Sequence, residues 1–296
     1  MESSVGIYQP FYKSSLIKRL DPGFIPLDWL SNPTPALREL ALHHHIAQNK
    51  LFARHRLTGL FSPKFFSKTG LHSQRDYDWI AESPGHDIYL ISGGCHVPYL
   101  HYNGVVRNQI LHSPEFEERM SDLCGKIGFE LPEEFPRQTN ANRSGCSYWV
   151  ASATFWENWI ADVVAPIFAL IGKSSETDEI FAYAKHAAPA PVYILTFIYE
   201  RLIDYYIERN RIDAIYYPWD AQSILSLDYD PSVRAYLEVM IPLVDRIDAS
   251  RQWSDRDKAW LRERYAALTL TGIGLEMVTA DSADYDLPRR YPNEVP

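Results

Sequence analysis

Three short stretches combine residue types that could hold a phosphorylated or sugar ligand. In "RLTGLFSPKFFSKTG", residues 56–70, an apolar run from Leu57 to Phe61 stops at Ser62-Pro63, and Lys64 follows at once. Proline ends a strand because it cannot donate to the ladder. A hydroxyl and a cation then stand at the strand's end, as they would beside a departing diphosphate; a tight turn with a solvated lysine has the same pattern. In "HDIYLISGGCHVPY", residues 86–99, a strand closes on Ser92, Gly93 and Gly94. Glycines let backbone amides approach a phosphate or sugar closely, with His96 as a further donor. A glycine turn beside a satisfied histidine is the plain alternative. In "FIYERLIDYYIERN", residues 197–210, Glu200 and Arg201 interrupt an apolar helix. Arg201 could grip a carboxylate or phosphate with two parallel hydrogen bonds, or the two could form a surface ion pair.

Other clusters carry less chemistry. His43, His44 and His45 are consecutive, and on a helix successive side chains point about 100° apart, so they do not converge on one ion. Asp-Tyr-Asp occurs at 76–78, 228–230 and 284–286. Two copies open helices, where acidic side chains complement the helix dipole, and the third lies in the tail. No metal-ligand spacing, phosphate-binding glycine loop or Gly-x-Ser-x-Gly elbow is present. The expectation is therefore no cofactor, with a divalent metal not favoured.

The 296 residues carry a formal charge of −9, and no basic block runs along them, which argues against a nucleic-acid binder. Hydrophobic residues make up 46%, enough for a large core. Nineteen tyrosines and eight tryptophans suit either a core or a cleft for flat and ring-shaped ligands. Three cysteines at unrelated spacings fit a reducing compartment. The start of the chain lacks the pattern of a signal peptide. The longest apolar stretch, "ADVVAPIFALIG", is short for a membrane span and holds Asp162 and Pro166. These features predict a cytoplasmic protein.

The elements that must position these residues alternate in the first half. "VGIYQPFY", "LTGLF", "HDIYLISGG" and "CSYWVAS" read as strands. "ALRELALHHHIAQNKL", "SQRDYDWIAES" and "SPEFEERMSDLCGKIG" read as helices, the first capped by Asn32 or Thr34 and the last ending at Gly128. From about residue 153 the helical period takes over. The alternation predicts an α/β fold, a mostly parallel sheet with flanking helices and a helical C-terminal part. Residues 1–276 read as one unit and 277–296 as a surface tail. Ligands in open α/β sheets bind beyond the carboxyl ends of the strands, which groups Gln9–Tyr12, Ser62–Lys64 and Ser92–His96.

The order "VGIYQPFY", "LDPGFIPLDWLSNPTP", "LTGLFSPKFFSKTGL", "DIYLISGG", "CSYWVASATFWENWI" and "FIYERLIDYYIER" resembles glycosyltransferase-like proteins of bacterial polysaccharide loci. More loosely it is similar to the GT-A glycosyltransferase families, over about residues 5–218. The resemblance implies a GT-A-like, Rossmann-type domain that transfers a sugar from a nucleotide-sugar donor to a saccharide or lipid-linked acceptor, the latter at the inner membrane surface. It implies Tyr8 and Gln9 beside the nucleotide, Ser62, Lys64, Ser92, Gly93 and Gly94 at the donor edge, and Arg201 at the diphosphate. Asp87, His96 and Glu200 are candidates for the general base. Ser92-Gly93-Gly94 stands where GT-A enzymes carry Asp-x-Asp, which points to metal-independent transfer or, alternatively, to a non-catalytic carbohydrate- or partner-binding protein.

Overall fold

The computed structural model describes residues 5–174, 179–184 and 191–269. Six strands form one mixed sheet among the described residues: β1 (Val5–Phe11), β2 (Ile25–Asp28), β3 (Leu57–Leu60), β4 (Ile88–Leu90), β5 (Trp149–Ser152) and β6 (Ala214–Tyr216). Their order is β2-β1-β3-β5-β4-β6. β2, β1 and β3 run parallel, as do β4 and β6, while β5 runs antiparallel to both neighbours. The beginning of β5 therefore lies at the edge where the other strands end.

Alternation assigns each strand residue to a face. Tyr8, Leu60, Ile88, Leu90, Trp149 and Ala151 meet one core; Ile7, Phe61, Tyr89, Ile91, Tyr148 and Val150 meet the other. The first core is covered by α1 (Arg38–Gln48), α5 (Phe116–Ile127), α6 (Ala153–Trp159), α7 (Ala165–Ile171) and α8 (Ile194–Asn210), the second by α2 (Phe65–Thr69) and α3 (Ser73–Glu82). Central strands covered on both faces read as continuous apolar runs, as these do. Trp149, Trp156 and Trp159 are all fully buried in the first core, each contributing roughly 2–3 kcal/mol of hydrophobic stabilisation. His43 is buried among them, so its place is structural. Tyr199 meets its Nδ1, and Trp159 Nε1 donates to the same hydroxyl at 2.9 Å.

α4 (Gly104–Leu111) packs beside α5 and α8. The helical cap comprises α9 (Ala221–Ser226), α10 (Pro231–Ser250) and α11 (Asp255–Thr269), and shares a third core with Cys95 and Tyr99 beyond β4.

Several elements differ from the sequence expectation. β2 sits inside what reads as a Pro- and Gly-punctuated connection; Pro26 is tolerated because β2 is an edge strand. "AIYYP" supplies the opposite edge strand, β6. α6 continues through a π-helical turn, Ile160–Val164, into α7, so the run Ala153–Ile171 spans 19 residues with mean hydropathy 1.2. That is long and apolar enough to cross a membrane by length and composition, and longer than the stretch read from the sequence. Its exposed positions include Thr154, Glu157, Asn158 and Asp162, while Phe155, Trp156, Val163 and Ile167 face the sheet. Pro166 has no N–H to continue the regular ladder, and the wide turn lies immediately before it. The tail 277–296 and the third Asp-Tyr-Asp lie outside the described residues. Asp230 behaves as expected and caps α10 through Ser232 N at 2.8 Å. Asp76 sits in the first turn of α3 but is buried with neither oxygen hydrogen-bonded, so burial keeps it from serving as a charged partner of the helix dipole.

Candidate functional site

The carboxyl edge gathers Lys68, Arg107, Arg143 and Arg201 around the ends of β3 and β4 and the start of β5. Ser62-Pro63-Lys64 does not only stop a strand: Phe65 N donates to Ser62 O at 2.9 Å and opens α2. One turn later Lys68 reaches the Cys146 sulfur at 3.5 Å and lies 5.8 Å from the centre of the Tyr148 ring. Tyr148 in turn shares a 2.7 Å hydrogen bond with Ser62 Oγ. Gly93 is needed for this closeness, since a Cβ there would stand 2.7 Å from the same sulfur.

Arg143 precedes β5 and donates through Nη1 to Ser92 Oγ at 2.9 Å. Its guanidinium folds over Gly145, which has φ +71°, and a Cβ there would meet it at 2.5 Å. Only glycine suits both the left-handed backbone and the space. From α8, Arg201 donates through Nη2 to Gly145 O at 2.6 Å and Glu200 Oε2 at 2.7 Å. Arg143 and Arg201 are each 2% exposed, yet Arg143 Nε and Arg201 Nε and Nη1 have no hydrogen-bond partner. Buried polar groups are nearly always satisfied; these nitrogens are exceptions, as are His43 Nε2 and both Asp76 oxygens elsewhere in the molecule.

The carboxylates nearby do not balance the cations. Glu200 pairs with Arg201, and Asp204 uses its oxygens on neutral donors, Ser144 N at 2.8 Å and Gln138 Nε2 at 3.1 Å. Burial raises both carboxyls above their ordinary range, against the pull of Arg201. Burial also pushes Arg143 below its ordinary range, helped by Arg201 and Arg107, and lowers Arg107 with Arg201 adding to it. For Lys68 burial works in the same direction, but Cys146, Tyr148, Glu200 and Glu39 outweigh it and hold the ammonium well above its usual value. Arg143 and Arg201 are buried, and Lys68, Arg107, Cys146 and Glu200 are half-buried. Chemically, the arrangement can bind a multiply charged anion and offers Glu200 to take up a proton.

At the same edge a cleft of about 310 Å³ opens beyond β2, lined by Asp28, Trp29, His44, His45, Gln48 and Phe168 among others. His44 stacks on Phe168 at 3.6 Å, and His45 meets Trp29 edge-on at 5.1 Å. β2 and β3 are two strand spacings apart, about 10 Å.

The structure brings together Ser62, Ser92, Gly93, Gly94, Glu200 and Arg201. Lys64 stands at the start of α2, next to this group. Gln9 is a fastener, its Nε2 donating to Ser62 O at 3.2 Å and its Oε1 accepting from Asp21 N at 3.0 Å. The Tyr8 hydroxyl lies 3.5 Å from His55, just before β3, and so is directed away from the carboxyl edge. His96 is buried with its ring against Tyr229, 3.4 Å from the hydroxyl. Asp87 is exposed at the amino end of β4, where its backbone bonds Asp213 and Ser152, so it lies across the sheet from the others. No role was read from the sequence for Lys68, Arg107, Arg143 or Cys146, although Lys68 lies in the stretch 56–70 and Cys146 opens "CSYWVAS". The available signal was Arg-Ser-Gly at 143–145, a cation and a glycine directly before a strand. Among the described residues no group of three or more His, Cys, Asp or Glu side chains is placed to hold a metal ion. No family model, curated protein or solved structure matches this chain.

Proposed function

We propose that the protein is a GT-A-like glycosyltransferase that moves a sugar from a nucleotide-sugar donor to a saccharide or lipid-linked acceptor, in the cytoplasm, in bacterial surface-polysaccharide synthesis. One observation carries this reading: buried guanidinium groups with unmet donors at the carboxyl edge of an α/β sheet. When the bond between the sugar and its phosphate breaks, charge builds on the leaving diphosphate. Fixed cations in a water-poor site stabilise that charge, and arginine suits phosphate because of its forked donors. Lys68, Arg143 and Arg201 would meet the diphosphate without a metal, and the aromatic cleft beyond β2 would take the nucleoside. The acceptor hydroxyl gives its proton to Glu200, whose affinity for protons is raised by burial. Its oxygen then forms the new bond to the sugar.

Thermal unfolding with UDP, GDP, CMP and dTDP sugars, each in EDTA and in Mn²⁺, tests the reading, because a ligand bound only by the folded state raises the midpoint. One nucleotide should stabilise the protein in EDTA, and Lys68→Ala should lose more of that shift than Lys64→Ala. A shift that requires Mn²⁺, or none with any nucleotide, overturns it. Binding with no transfer to any acceptor would instead identify a carbohydrate- or partner-binding protein.

A further inference from the structure

Charge divides the carboxyl edge into two parts. Lys68, Arg107, Arg143 and Arg201 gather around the ends of β3 and β4 and the start of β5. The cleft of about 310 Å³ beyond β2 has no lysine or arginine in its lining, and among the described residues its one acid is Asp28. Burial lowers His44 and His45, which also border the cleft, and His45 adds to the effect at His44, so both rings are neutral near pH 7. Flat rings line it: His44 and Phe168 stack with their planes 9° apart, and Trp29 is held by its Nε1 donating to Asn32 Oδ1 at 3.0 Å. Its volume lies at the small end of the range for ligand pockets, roughly 300–1,000 Å³, which suits one nucleoside and not a chain of sugars. Asp28 is the last residue of β2, so the sheet fixes its backbone. Its Oδ1 accepts from Leu30 N at 3.0 Å, which sets the direction of the side chain. Oδ2 has no partner among the described residues, and Oδ1 keeps a second lone pair. A carboxylate held in this way can accept from two adjacent hydroxyls, and it repels a phosphate.

We propose that Asp28 selects the sugar of the nucleotide: it accepts hydrogen bonds from the 2′- and 3′-hydroxyls of a ribose, so the protein takes a ribonucleoside diphosphate sugar and discriminates against a deoxyribonucleoside one such as a dTDP sugar. The inference rests on the reading that the cleft holds the nucleoside of a donor whose diphosphate meets the cations. Hydrogen bonds to a carboxylate are charge-assisted and stronger than neutral ones. A site built around a hydroxyl rejects the analogue that lacks it, because its acceptor is left unpaired. The aromatic walls then take the base by stacking, which tolerates different bases.

The test measures equilibrium binding, in EDTA, of UDP, CDP and GDP, each beside its 2′-deoxy analogue, and of inorganic pyrophosphate. The wild type is compared with Asp28→Asn, which keeps an oxygen for Leu30 N, and with Asp28→Ala; thermal midpoints check that both variants fold. The best-bound ribonucleotide should bind the wild type at least tenfold more tightly than its deoxy analogue, and either variant should cut that ratio at least threefold. Equal affinity for the two sugars in the wild type, or a ratio that survives both variants, overturns the proposal. Pyrophosphate bound as tightly as every nucleotide also overturns it, since the cleft then adds nothing, but leaves the anion site standing. Asp28-dependent ribose selectivity without any pyrophosphate binding keeps the proposal and counts against the diphosphate reading. No binding of pyrophosphate or of any nucleotide overturns both.

Discussion

Arg137 and the Arg143–Arg201 pair show two ways of burying guanidinium groups. Arg137 donates from Nε and Nη2 to Asp248 at 2.8 and 2.9 Å, and to the carbonyls of Pro98, His101 and Tyr102 at 2.8–3.0 Å. Every donor of that side chain is used, and Trp253 stacks 4.9 Å away. Arg137 is a rivet between the loop beyond β4 and the cap helix α10. Arg143 and Arg201 are buried more deeply and satisfied less well, with three donors unmet. A fold that can satisfy one arginine completely leaves the other two short at the carboxyl edge of the sheet. Incomplete satisfaction costs stability, and the proposed anion would offset that cost.

Asp76 adds a contrast from the other face of the sheet. It is fully buried with neither oxygen hydrogen-bonded, and burial, with Asp21 nearby, raises it to about 9. A carboxyl can escape the problem by taking a proton; a guanidinium cannot.

The largest expected effect breaks the rivet. Arg137→Met leaves Asp248 and three carbonyls without their donor and should cost about 3–5 kcal/mol, read from urea unfolding, while the protein that remains folded binds nucleotide normally. Next comes pH. The folded state keeps the Asp76 proton while the unfolded chain loses it near 3.8, so stability should fall as pH rises from about 4 to about 9. Unfolding free energies from urea titrations at about pH 5 and about pH 8 should differ by more than ~2 kcal/mol in the wild type relative to Asp76→Asn; parallel profiles would show that Asp76 is ionised in both states. The smallest effect is the sharpest discriminator. Arg201→Met leaves Glu200 and the Gly145 carbonyl without their donor, fewer acceptors than Arg137→Met strands. It should therefore cost less stability than that change but weaken UDP binding at least tenfold, about 1.4 kcal/mol. A large loss of stability with unchanged UDP affinity would make Arg201 a second rivet.

Much of the scaffold was legible from local pattern. β1, β3, β4 and β5 announce themselves as apolar runs, and Gly128 ends α5 with φ +73° as a glycine after a helical period should. The edge strands were not legible, because Ile25–Asp28 carries a proline and Ala214–Tyr216 is three residues long. The antiparallel entry of β5 was hidden for a different reason: its sequence is the same whichever way it runs, and only pairing with β3 and β4 decides direction.

The site divides along the same line. The sequence by itself determined the glycine turn at 93–94, the proline that opens α2 and the Glu-Arg step in α8, since each is a departure from a local period. Only the tertiary structure decided that Lys68 rather than Lys64 reaches Cys146, that Gln9 and His96 serve packing, and that Asp87 stands on the far edge. Burial and charge balance arise where distant segments meet. A lysine or arginine has the same local pattern whether water or another cation faces it.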